Sequence, residues 1–83
     1  MKSINLRTFG KALKDKRKAL GISQEEMANA IELSRIYLSE LENGKCNPTL
    51  DVLCRLSNFF NLPLSELFAE IENTKLGEDN EEI

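Results

Sequence analysis

The 83-residue sequence contains no histidine and no tryptophan, and tyrosine occurs once. Without histidine the chain lacks the commonest general base at neutral pH and the commonest metal ligand, which weighs against most hydrolytic chemistry. There is no P-loop, no metal-ligand cluster and no nucleophile-base pair, so no enzyme activity, cofactor or small-molecule ligand is expected. The two cysteines, Cys46 and Cys54, fall in an expected loop and on an expected helix. With no imidazole and no third thiol to complete a site, free thiols in a reducing, cytoplasmic compartment are the expectation. No apolar run approaches the roughly 20 residues of a membrane span, and the N-terminus lacks a signal-peptide stretch, so no membrane association is expected. Only two prolines interrupt a composition rich in Leu, Lys and Glu, which favours helices. One small all-helical domain, near the size limit for a core without staples, is what the length allows.

The formal charge of −3 is unevenly spread. Residues 1–68 hold ten Lys and Arg against eight Asp and Glu, whereas residues 69–83 hold one Lys against six acids. The body is mildly basic and the acidity sits at the end, so the domain is placed at 1–72 and an acidic, disordered tail at 73–83. Phosphate contact depends on the local field of a binding face, not on the total charge.

The most informative stretch runs from Ser23 to Gly44, SQEEMANAIELSRIYLSELENG. It reads as two short helices, about Gln24 to Ile31 and Arg35 to Glu42, joined by a tight turn. Ser23 with Glu26 three residues on forms a capping box, and Ser34 opens the second helix in the same way. At about 100° per residue, Met27 and Ile31 share one face, Leu38 and Leu41 share another, and Leu33 bridges them. Ala28 is small enough for the two axes to cross closely. The face opposite Leu38 and Leu41 carries Ile36, Ser39 and Glu40, with Arg35 beside it in the first turn. Those side chains match what a major groove offers: thymine methyls for Ile36, guanine acceptors for the Arg35 fork and cytosine donors for Glu40. One exposed isoleucine, by itself, needs no such reading.

Around this unit a first helix is expected from Leu6 to Leu20, capped by Asn5, with Leu6, Phe9, Leu13 and Leu20 on one side. Arg7, Lys11, Lys14 and Lys18 line the other, a pattern that ordinarily marks a solvated face. Arg17 projects near the apolar side. Gly21 and Gly44 read as left-handed caps. A fourth helix starts after Thr49, with Leu50, Leu53, Leu56 and Phe60 as its core stripe. Phe59 stands about 100° from Phe60, so the two are not expected to face one core. A fifth helix, Leu64 to about Glu72, supplies Leu67, Phe68 and Ile71. Phe59, Phe68 and Ile71 exceed the apolar surface a monomer of this size needs, which fits either a slightly wider core or a dimer interface.

The run from Phe9 to Phe68 resembles the helix-turn-helix domain of phage Cro and repressor proteins, the xenobiotic-response-element family. The resemblance is carried by Arg17, LGISQEEMA (Leu20 to Ala28), SRIYLSELENGK (Ser34 to Lys45), NPTLDVL (Asn47 to Leu53) and LPLSELF (Leu62 to Phe68). It implies a compact five-helix, lambda-repressor-like fold and a sequence-specific transcriptional regulator that binds double-stranded DNA as a homodimer on a palindromic operator. Pairing in the family runs through the C-terminal helices, which implies that Phe59, Phe68 and Ile71 form a dimer interface. It further implies that Arg17 pairs with Glu42, that Gln24 holds a phosphate, and that Asn43, Lys45 and Thr49 lie on the flank where phosphates are held. Tyr37 is placed with them, its hydroxyl reaching toward a phosphate. One position departs from the family pattern: the turn carries Glu32 where glycine is usual.

Within the resemblance, a phage-type repressor and the controller of a restriction-modification locus are the leading expectations. An antitoxin that sequesters a toxin and autoregulates its operon is the alternative, and a protein-docking module without a DNA role ranks third. The acidic tail leans slightly toward the antitoxin, but it is too short and polar for the usual toxin-binding segment.

Overall fold

The computed structural model describes residues 5–73; the expected acidic tail, apart from Asn73, lies outside the described residues. Five helices follow one another: α1 (Leu6–Ala19), α2 (Gln24–Ala30), α3 (Arg35–Glu42), α4 (Leu50–Phe60) and α5 (Leu64–Glu72). Each of the first four begins at a side chain that accepts an otherwise unpaired backbone N–H: Asn5 from Thr8, Ser23 from Glu26, Ser34 from Tyr37 and Thr49 from Val52. At α2 the cap is reciprocal, since Glu26 accepts from the Ser23 N–H at 2.8 Å. Helices this short are marginal alone and depend on such caps and on packing. None of the described helices is long and apolar enough to cross a membrane.

The helices end as decisively as they start. After α3, Gly44 at φ 71° lets Lys45 N–H reach Glu40 O at 2.9 Å and Gly44 N–H reach Leu41 O at 3.1 Å. This is the double closure that a left-handed residue makes possible. The same pattern ends α2, where Leu33 N–H meets Ala28 O at 2.9 Å and Glu32 N–H meets Asn29 O at 3.3 Å. Here the left-handed residue is Glu32, at φ 60°. A side chain with a Cβ is strained there by roughly 1 kcal/mol. Glu32→Gly is therefore expected to raise unfolding stability by about that amount, read as a higher urea midpoint with an unchanged slope.

The core is one cluster in which α1 packs on α3 and α5, α2 on α3, and α4 on α5. Phe9, Ala12 and Leu13 from α1 meet Met27, Ala28 and Ile31 from the α2 region, Leu38 and Leu41 from α3, Val52 and Leu56 from α4, and Leu67 and Ile71 from α5. Three expectations are corrected. Leu50 is 69% exposed, and Val52 takes its place in the core; the two differ by about 200° around the helix, so both could not have pointed inward. Leu20 is exposed because α1 stops at Ala19, leaving Leu20 as the cap beyond the packed body, and Ile22 packs against the core instead. Phe59 and Phe60 are both partly buried against the same core, their rings edge-to-face with centroids 5.1 Å apart. The width of two aromatic rings spans the angular gap that separates their backbones. Lys16 lies over the Phe60 ring and donates to Glu70, tying α1 to the α4–α5 end.

Candidate nucleic-acid interface

The angle of α3 relative to the body is set by a buried ion pair. Arg17 on α1 and Glu42 at the end of α3 are 7% and 5% exposed. Arg17 Nε and Nη2 donate to the two Glu42 oxygens at 2.7 and 3.0 Å, a fork on a carboxylate. The third arm, Nη1, donates to Ile22 O at 2.9 Å, so the guanidinium also fixes the loop entering α2. Hydrogen bonding to Glu42 raises the Arg17 pKa above the usual arginine range, against an opposing effect of burial. The stability this contributes is fully present below the ordinary arginine pKa and is lost only as pH rises beyond it, so the pair is constant across physiological pH.

Gln24 also belongs to this network. Its Nε2 donates to Glu42 Oε1 at 2.9 Å. That bond occupies part of the amide that the family resemblance assigns to a phosphate, leaving its carbonyl and one N–H. One residue thus links the opening of α2 to the end of α3.

Two further constraints hold α3, and neither was apparent in the sequence. Gly10 on α1 faces the last carbonyls of α3, where an added Cβ would sit 2.5 Å from both Leu41 O and Glu42 O. The two helices touch backbone to backbone there. Arg55 on α4 reaches across to the turn, with Nη1 3.1 Å from Ile31 O and 3.2 Å from Glu32 O, while Nη2 pairs with Asp51 at 3.0 Å. It holds carbonyls at the strained Glu32 corner. The Asp51–Arg55 spacing of four was a visible signal of an intrahelical pair, but carbonyl acceptors leave no mark in a sequence.

Held this way, α3 presents its outer face. Ile36 is 70% exposed, Arg35 and Glu40 are exposed, and Ser39 is half-buried. Arg35 has no ion-pair partner among the described residues. Asn43, the cap of α3, turns its Nδ2 back to Ser39 O at 2.9 Å. Lys45 is exposed just beyond it, and Thr49 is exposed with its Oγ1 accepting from Val52 N–H at 3.1 Å. Tyr37 is half-buried against the core, and burial, with smaller contributions from Cys46 and Glu40, pushes its phenol pKa up. It therefore stays protonated and able to donate. Cys46 is half-buried and Cys54 exposed; both are free thiols.

Of the three expected dimer residues, one is not on the surface. Ile71 is 2% exposed and belongs to the core of its own chain, which removes it from any interface. Its place on α5, four residues from Leu67, puts both on the inward stripe. Phe59 and Phe68 remain partly exposed. Phe59 lines an open groove of about 350 Å³ with Ala30, Ile31, Glu32, Arg55 and Asn58.

A helix-turn-helix family model matches residues 13–67. The chain is 45% identical over 73 residues to control protein C.MunI of Mycoplasma sp, covering 87% of this chain and 97% of that one. It is 44% identical over 59 residues to the ImmF control region 10 kDa protein of Bacillus phage phi105, covering 71% of this chain and 66% of that protein. Among solved structures, the restriction-modification controller protein C.AhdI from Aeromonas hydrophila superposes with a TM-score of 0.71 at 35% identity, over 76% of this chain and 96% of that one.

Proposed function

This chain belongs to the Cro/C1-type helix-turn-helix family of transcriptional regulators, and from that premise we propose that it binds an operator as a homodimer, inserting the N-terminal half of α3 into the major groove. The observation that carries the reading is the exposed face of α3: Ile36 is 70% exposed on a helix whose other side is locked to the body. Arg35 forks onto the O6 and N7 of a guanine, Ile36 meets a thymine methyl, and Ser39 and Glu40 reach neighbouring base edges. Gln24, Tyr37, Asn43, Lys45 and Thr49 hold phosphates on the two flanks, fixing register without reading sequence.

A twofold dimer would place two such helices about 34 Å apart, on successive major grooves of one duplex face, and would read a palindrome. Its contact surface is built around Phe59 and Phe68, whose partly exposed rings support this assignment. The similarity to two controller proteins favours control of a restriction-modification locus as the setting.

Titration of the purified protein onto the region upstream of its own gene, at two salt concentrations, tests this reading. Arg35→Ala is expected to lose about 1 to 3 kcal/mol of preference for the specific site over a scrambled duplex, while its residual binding keeps most of the salt slope. Equal losses on both duplexes would make Arg35 a phosphate contact instead.

A further inference from the structure

The basic side of α1 is left unexplained by the reading face. Arg7, Lys11, Lys14 and Lys18 line an open cleft of about 400 Å³ together with Asp15, Glu42 and Asn43. Lys11 is matched by Asp15 at 2.9 Å, and both Glu42 oxygens are taken by Arg17 and Gln24. Arg7, Lys14 and Lys18 have no ion-pair partner among the described residues. The cleft therefore holds three uncompensated cations.

Their positions are not what helix stability alone would select. Lys18, in the last turn of α1, complements the negative end of the helix dipole. Arg7 stands in the first turn, where a cation is unfavourable and where α1 has no acidic residue. Lys14 and Lys18, four apart, repel each other on one face. An anionic occupant would offset both costs.

The cleft also continues the reading face. Ile36, Ser39 with Glu40, and Asn43 succeed one another turn by turn along α3, and Asn43 forms part of the cleft wall. From Arg7 to Lys18 the cationic array spans about 16 Å of helix. One DNA strand carries a phosphate about every 3.4 Å of axis, so the array faces several of them.

From this charge and continuity we infer that the α1 cleft binds the sugar-phosphate backbone of the same duplex, beyond the edge of the groove that α3 enters, through Arg7, Lys14 and Lys18. The inference rests on the duplex-binding reading above. The cleft supplies affinity without sequence preference, which suits a chain whose total charge is negative.

The test is a titration of the full chain and of the double variant Arg7→Gln/Lys14→Gln onto a specific and a scrambled duplex between about 50 and 200 mM salt. Glutamine preserves helix propensity, and a thermal melt of each protein confirms equal folding. The slope of log affinity against log salt is expected to fall by about two, with affinity down about tenfold on both duplexes and their ratio unchanged. Lys14→Gln alone should give about half that change in slope. A wild type that binds neither duplex overturns the duplex-binding reading and the inference together. A wild type that binds, beside a double variant with the same affinity and slope, overturns the inference alone. Loss confined to the specific duplex would also overturn it.

Discussion

Arg17→Ala is expected to cost the domain about 3 to 5 kcal/mol, because it leaves the Glu42 carboxylate buried with no cation beside it. A chain of this length has roughly 4 to 12 kcal/mol of stability in all. The single substitution should therefore remove at least about a quarter of that stability, and at the low end of the range all of it. Glu42 would keep one hydrogen bond, from Gln24 Nε2, which does not neutralise its charge. The carbonyl of Ile22 would lose its donor as well. Urea unfolding with circular dichroism reads the loss as a lower midpoint. The companion variant, Arg17→Met with Glu42→Leu, removes both charges and should recover most of the stability, since well-packed apolar replacement of a buried pair is often neutral. Recovery of stability without recovery of operator binding would show that the pair acts by aiming α3, beyond holding the fold together.

Gly10→Ala is the second large effect, and its sign is diagnostic. In an ordinary helix interior, alanine for glycine stabilises by about 0.5 to 1 kcal/mol. At Gly10 the new methyl would lie 2.5 Å from two backbone oxygens of α3, which cannot rotate away as a side chain would. The helices must separate, and overpacking of this kind costs about 1 to 3 kcal/mol. A lower thermal midpoint for Gly10→Ala is the expected result. A gain in stability would mean that α1 and α3 are not in backbone contact. Because α3 moves when the helices part, operator affinity should fall even in conditions where the variant remains folded.

The first four helices were legible because their start signals were local. Asn5, Ser23, Ser34 and Thr49 each sit one residue before a run with the right period, and each accepts the amide its position implies. The Arg17–Glu42 pair, 25 residues apart in the chain, has no local signal and was reachable only through family resemblance. Leu50 was misplaced because several leucines in one short helix suggest a single stripe, while the fold keeps only the side that meets α5. Ile71 was misplaced because the family resemblance, with its pairing through C-terminal helices, favoured an interface over a wider core, and the five-helix body had room to bury it.

Gly10 and Arg55 were missed because their partners are backbone carbonyls, and those are identical at every position of a sequence. The sequence places Arg35, Ile36, Ser39 and Glu40 on the outward face of α3, because burial of Leu38 and Leu41 fixes the opposite side by geometry; Arg35, Ile36 and Glu40 are exposed there and Ser39 is half-buried. The cleft beside Asn43 needed coordinates, because a basic stripe in a sequence does not reveal which neighbouring helix forms its other wall.

In the proposed complex the exposed tip of α3 meets base edges in a major groove. The most direct measurement is interference by guanine N7 methylation on a duplex selected from a random pool by the protein itself. N7 lies in the major groove and is an acceptor for an arginine fork. Molecules methylated at one guanine in each half-site should be excluded from the bound fraction, and Arg35→Ala should lift that exclusion. Binding indifferent to methylation at every guanine, with the same affinity for selected and scrambled duplexes, would mean that α3 does not read bases in the major groove.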